Sequence, residues 1–227
     1  MVSTGIPSID YVFSQSSPWV MGELTLDNRI GNGHYRETYR DGFLLYKVGK
    51  SHIRKRIGPF NLYFPSSLYT LIVFGTTDIN SMEYKNYLDI IGKVPEPLRD
   101  SFAQIFGVFQ SNGKMISINE TVANHDGRVS PSLKVHGYVS NPYFWSRMAE
   151  LEELFTSKDL TFFNINGGNI VVKELEDGSK IPVFIDYKRT GVRNYPLQLN
   201  LLLESERVKR TKNKFSRIRE KYQIKTP

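Results

Sequence analysis

Two short β-type runs, Ile170–Val172 and Pro182–Ile185, are joined through the turn Glu176-Asp177-Gly178-Ser179. Asn169 stands immediately before the first run and Asp186 immediately after the second. A hairpin returns the chain to where it started, so this order puts an amide and a carboxylate at one end of a two-stranded ribbon. Magnesium takes hard oxygen ligands, only one or two of them from protein, and completes its octahedron with phosphate oxygens and water. Asn169 and Asp186 are the expected metal ligands. An ordinary hairpin with turn-forming Asn and Asp at its ends has the same pattern.

A second constellation lies upstream. Ile30-Gly31-Asn32-Gly33-His34 falls between two strand-like runs within residues 24–48, and Asp41-Gly42 supplies a two-residue hairpin turn. The strand that follows has Lys47 near its end. Alternation puts Phe43, Leu45 and Lys47 on one face and Leu44, Tyr46 and Val48 on the other. Lys47 then points under the glycine turn, with Leu45 beside it as an apolar floor for an adenine ring. Gly31 and Gly33 let backbone N–H groups approach phosphates with no Cβ in the way. A solvated strand lysine is the plainer reading of Lys47.

The order of glycine turn, hairpin, lysine, then a distant Asn and Asp resembles that of protein kinases. There the catalytic-loop Asn and the Asp of Asp-Phe-Gly hold the metal. More narrowly, the chain resembles the PhoP regulatory network protein YrbL family. The likeness rests on Ile30 to Arg36 with Tyr39, on Tyr46-Lys47-Val48, and on Asn164 and Asn169-Ile170-Val171 followed by Pro182 to Asp186, covering roughly 24–50 and 120–222. It implies a protein-kinase-like fold and an ATP site with Mg²⁺. Two departures bear on phosphoryl transfer more than on nucleotide binding. Asn164 occupies the place of the catalytic Asp, and Tyr187-Lys188 replaces Phe-Gly.

A chain of 227 residues, 40% hydrophobic and 13% aromatic, can bury a core as one domain or as two small lobes. The expected fold is α+β: a reduced protein-kinase-like, two-lobed fold with an N-terminal antiparallel sheet plus one helix and a short, mainly helical C-terminal lobe. The expected division is an arm at 1–21, an N-lobe at 22–122 and a C-lobe at 123–227. With no cysteine, disulfides and thiolate metal sites are excluded. The longest apolar run, Leu68 to Phe74, is too short to span a membrane. No secretory signal is legible, so a cytoplasmic location is expected. His34, His52, His125 and His136 show no metal-ligand spacing.

Residues 49–60 read as a basic loop, and 52–80 resist placement. Asn80 and Glu83 have capping-box spacing at the start of a helix that runs past Tyr87, Leu88 and Ile91 and stops before Pro95. Glu83 is the expected partner of Lys47, or else it only caps its own helix. Residues 115–122 read as the strand into an interlobe hinge, which brings Glu120 to the nucleotide. Asn141-Pro142 opens a helix whose Phe144, Met148, Leu151 and Phe155 face the core. After Asp186 only 41 residues remain, too few for a long activation segment and peptide-docking helices. Leu201, Val208, Phe215 and Tyr222 recur every seven residues with Ile218 beside them, on a basic amphipathic helix. From Arg207 to Lys225 there are nine Lys/Arg and one acid, Glu220, so this segment carries the whole positive balance of a chain whose net charge is +7.

Three functions are compatible with these features. One is an ATP:Mg-dependent phosphotransferase acting on a small or local hydroxyl acceptor. In it Lys47 holds phosphates, Glu83 orients Lys47 and Asn164 positions the acceptor. The second is a pseudokinase, a nucleotide-responsive module whose basic helix meets an acidic partner. The third is a nucleic-acid binder acting through the 207–225 helix.

Overall fold

The structure, a computed structural model, describes residues 29–32, 35–57, 60–65, 67, 70–72, 75–111, 113–157, 160, 163–188 and 203–223; side chains at 31, 32, 53–57 and 60–64 are left aside. The arm expected at 1–21 lies outside the described residues. Five antiparallel strands form the first layer: β1 (Arg29–Asn32), β2 (Arg36–Asp41), β3 (Leu44–Gly49), and two later strands at Ile105–Ser111 and Lys114–Glu120. Asp41 pairs with Leu44 across a turn in which Gly42 has a φ of 54°, which the Asp-Gly pair permits. The alternation on β3 is as read. Leu44, Tyr46 and Val48 are buried with Phe106, Ile116 and Ile118, while Leu45 and Lys47 face a cleft.

The basic loop expected at 49–60 is a hairpin instead, β4 (His52–Ile57) paired with β5 (Phe60–Pro65) in a sheet of its own. Arg54, Lys55 and Arg56 hide the strand signal of the flanking Ile53 and Ile57. The strand at Ile105–Ser111, here β6, was not legible either. It carries Gly107, where its pairing with β7 (Lys114–Glu120) shifts register. Such irregularity erases a clean two-residue period.

Helix α1 (Ile79–Ile91) packs against β3, β6 and β7 of the sheet. Its N-cap is Asp78, whose carboxylate accepts from the backbone N–H groups of Asn80 and Ser81. The Asn80–Glu83 capping box is therefore not formed. Both side chains are buried and turned toward the sheet. Asn80 Nδ2 donates to Lys47 O (2.9 Å) and Met115 O (2.6 Å), fastening the helix to two strands. Tyr87 and Ile90, lower on the same helix, belong to the core of the other half. One helix thus joins both halves.

That second half is built on α2 (Leu133–His136), α3 (Pro142–Ser157), the hairpin β8 (Ile170–Glu174) and β9 (Lys180–Phe184), and α4 (Glu204–Tyr222). Asn141 Oδ1 accepts from Phe144 N (3.1 Å) at the start of α3. Phe144, Met148, Leu151 and Phe155 are fully buried. Phe155, Phe163, Phe184 and Phe215 meet with ring centroids 5–6 Å apart. The stripe that docks α4 is Thr211, Phe215, Ile218 and Tyr222; Val208 is only half-buried, and Leu201 lies outside the described residues. Phe215 and Tyr222, and likewise Thr211 and Ile218, stand seven residues apart, so the repeat stays on the contact face over the last three turns. Among the described residues, no helix is long and apolar enough to cross a membrane.

Candidate functional site

A cavity of about 460 Å³ lies between the two halves. Leu45 and Lys47 line it from β3, Glu120 to Val122 from the segment joining the halves, and Val171, Ile185 and Tyr187 from below. Its walls are mainly apolar, as a site for a planar ring requires. Glu120 lines this cavity, but its carboxylate is already an acceptor for Gln104 N at 2.9 Å. The Thr121 hydroxyl lines it too and is buried with no partner among the described residues.

At the inner end, Lys47 Nζ lies 3.2 Å from Glu83 Oε1. Glu83 is completely buried. Its second oxygen, Oε2, accepts from the guanidinium of Arg36, whose Nη1 also donates to Asn80 Oδ1 (2.9 Å). Tyr187 N donates to Glu83 Oε1 as well (3.3 Å). Burial alone would raise the Glu83 carboxyl, but the cations of Arg36 and Lys47 outweigh it and hold the group well below the usual carboxylate range. Burial pushes the Lys47 ammonium below the ordinary lysine value, and Glu83 offsets part of that. Glu83 thus forms ion pairs across 36 and 47 residues of chain, while Asp78 does the capping.

The hairpin end carries the remaining residues. Asn169 N donates to Asn166 O (3.0 Å), closing a tight loop, and Asn169 Nδ2 donates to Asn164 O (3.1 Å). The amide nitrogen is thereby committed, which leaves Oδ1 as the ligating atom of that side chain. Ile185 N donates to Asn169 O (3.1 Å), so the backbone ties Asn169 to the strand end that bears Asp186. Asn164 contributes its carbonyl to the loop. One amide oxygen beside one carboxylate fits a magnesium ion that arrives with phosphate. Among the described residues no group of three His, Cys, Asp or Glu forms an all-protein cage. Gly31 pairs with Thr38 on the edge of the sheet, and Gly33 lies outside the described residues.

Helix α4 braces this loop from behind. A Cβ at Gly167 would fall 2.7 Å from the Tyr222 hydroxyl, so only glycine allows the approach. Lys214 Nζ donates to Phe163 O (2.7 Å), and Arg219 pairs with Glu152 of α3. Part of the basic character of α4 is therefore used in docking, while Lys209, Lys212, Arg217 and Lys221 face outward.

Arg36, Asn80 and Tyr187 were not assigned to the site from sequence. Arg36 and Asn80 act through contacts 44 residues apart, which no local period reports. A buried arginine three residues past the second glycine was the available signal. Tyr187 is completely buried, with its hydroxyl donating to Ala103 O (2.7 Å).

A strand lysine paired to a helix glutamate stands above a hairpin bearing an Asn and an Asp. The fold is α+β, with a five-stranded antiparallel sheet and helix α1 in one half and the hairpin β8–β9 with α2, α3 and α4 in the other. No protein-family model matches the sequence. No curated protein matches it either. Among solved structures, the chain is similar to the PknI kinase domain of Mycobacterium tuberculosis in a mutant form (11% identity, 72% of this chain and 59% of that one, TM-score 0.41). It is also similar to PpkA-294 in its apo form (15% identity, 79% of this chain and 62% of that one, TM-score 0.41). The chain spans about three fifths of the length of each.

Proposed function

We propose that the cleft binds ATP with Mg²⁺ and that the chain is a kinase-like phosphotransferase for a small or local hydroxyl acceptor, akin to the YrbL family. The observation that carries this reading is the Lys47–Glu83 ion pair at the inner end of an apolar cleft, within electrostatic reach of Asp186 at the hairpin end. In this reading Leu45 and Val122 sandwich the base, Glu120 and Thr121 meet its edge, and Lys47 holds phosphate oxygens as a point charge. Gly31 and Gly33 cover the phosphates. Asn169 and Asp186 hold the metal, which supplies charge neutralisation for the transferring phosphoryl group. Asn164 positions the acceptor.

A second reading, a pseudokinase, is favoured by Asn164 itself. An amide cannot take the acceptor's proton as a carboxylate would. The outward basic face of α4 then serves an acidic partner; nucleic acid is the third reading of the same face.

Thermal melting with Mg-ATP tests the binding claim. At a hundredfold excess over Kd the wild type is stabilised by about 2.7 kcal/mol. Lys47→Ala is expected to melt near the wild type without ligand, because Arg36 keeps Glu83 paired, and to lose most of the ATP shift. An equal shift in Lys47→Ala would reduce Lys47 to a structural residue, and no shift in the wild type at millimolar Mg-ATP would overturn the nucleotide reading.

A further inference from the structure

Both oxygens of Asp186 are engaged by the same residue. The Lys188 backbone N–H donates to Oδ1 (3.1 Å), and the Lys188 ammonium lies 3.0 Å from Oδ2. The same ammonium sits 6.0 Å from the centre of the Tyr35 ring, at the exit of the glycine turn. Lys188 therefore lies between the end of the hairpin and Tyr35, which precedes β2. It stands where the kinase pattern has glycine, which offers no charge.

The charge balance of the site follows. Arg36, Lys47 and Lys188 face Glu83 and Asp186, three cations to two carboxylates. With Lys47, Glu83 and Asp186 alone the site would be net negative and would repel a polyphosphate until a dication entered. With Arg36 and Lys188 counted, the charges of the described residues at this point sum to a positive value before any metal binds. Asp186 and Lys188 are both mostly shielded, with side-chain exposures of 16% and 23%, so their interaction is only partly screened.

We infer that Lys188 is the resident cation of this site: its ammonium neutralises Asp186 and contacts the terminal phosphates of a nucleoside polyphosphate, so the cleft accepts the nucleotide in metal-free form. This rests on the nucleotide reading of the cleft. It assigns a phosphate-binding role to a residue outside the Lys47, Asn169 and Asp186 set. It also makes Lys188 a competitor of any dication for Asp186, since a lysine and a metal ion cannot both hold the same carboxylate oxygen at contact distance.

Equilibrium titration with the fluorescent analogue N-methylanthraniloyl-ATP, once in EDTA and once in excess Mg²⁺, tests it on the full chain. The wild type is expected to bind in EDTA within about tenfold of its Mg²⁺ affinity, one charge-assisted contact being of that order. Lys188→Met is expected to weaken binding in EDTA by about tenfold or more while changing the Mg²⁺-supported affinity by less than about threefold. Lys188→Arg keeps the cation and should restore metal-free binding, which separates loss of charge from loss of fold. Equal EDTA affinity in wild type and Lys188→Met would overturn the inference. So would a wild type that binds only with Mg²⁺, although the nucleotide reading would then stand. No binding by the wild type in either condition would overturn both.

Discussion

Replacing Glu83 by Ala is expected to destabilise the protein more than any other single change in the cleft. Glu83 is completely buried between Arg36 and Lys47, whose side chains are only 8% and 13% exposed. Removing the carboxylate leaves two shielded cations facing each other. Breaking a buried pair in this way costs about 3–5 kcal/mol, or roughly 6–20 °C in Tm for a chain of this size. Glu83→Gln has one acceptor oxygen, so it can keep the bond from Arg36 or the bond from Tyr187 N but not both, and it carries no charge; its stability should fall between those of the wild type and Glu83→Ala. The pH dependence has a definite sign. The folded-state pKa of Glu83 lies below its usual 4.5. Its ionic stabilisation is therefore fully present above that value and is lost progressively as the pH falls below it. Chemical denaturation from pH 7 to pH 3 should show a steeper loss for the wild type than for Glu83→Gln. Parallel curves would mean that Glu83 contributes no charge to stability.

The largest functional effect is expected at Asp186. Phosphoryl transfer passes through a loose transition state, in which positioning and charge neutralisation carry most of the barrier reduction. Asp186→Ala removes the carboxylate expected to hold the metal and also releases Lys188. Single-turnover transfer or release of the γ-phosphate should fall to background in this variant. Asn164→Asp should match or exceed the wild-type rate, because a positioned base is worth up to ~10²–10⁴-fold. If wild type and Asn164→Asp are both indistinguishable from Asp186→Ala with every acceptor tried, the pseudokinase reading replaces the enzymatic one.

Those features of the fold that depend on local period were legible in the sequence. The hairpin at Ile170–Phe184 announces itself by β-branched runs around Asp177-Gly178, and β3 by strict alternation from Leu44 to Val48. The core face of α3 follows from Phe144, Met148, Leu151 and Phe155. Helix α1 was legible, but its cap was not: Asp78, Asn80 and Ser81 are all competent capping residues, and only packing decided among them. The charges from Arg54 to Arg56 concealed β4, and Gly107 concealed β6. In the candidate site, Lys47, Glu83, Asn169 and Asp186 stand out by residue type and order. The Arg36 clamp on Glu83 and the Lys188 bridge to Asp186 do not, because each depends on how two side chains meet once the sheet, helix and hairpin are assembled. Helix α4 was legible as amphipathic, but its role as a brace behind Gly167 depends on Tyr222 reaching a loop 55 positions away.

The central claim is that the nucleotide binds in the cleft, and a strongly basic α4 makes location the decisive question, since outward lysines and arginines also attract polyphosphates. Photolabelling with 8-azido-ATP and Mg²⁺, followed by peptide mapping, answers it directly. The account predicts label on the peptides that line the cavity, around Leu45, Glu120 to Val122 and Ile185, and its loss when unmodified ATP is added. Label confined to residues 204–222, or label that ATP does not displace, would contradict it.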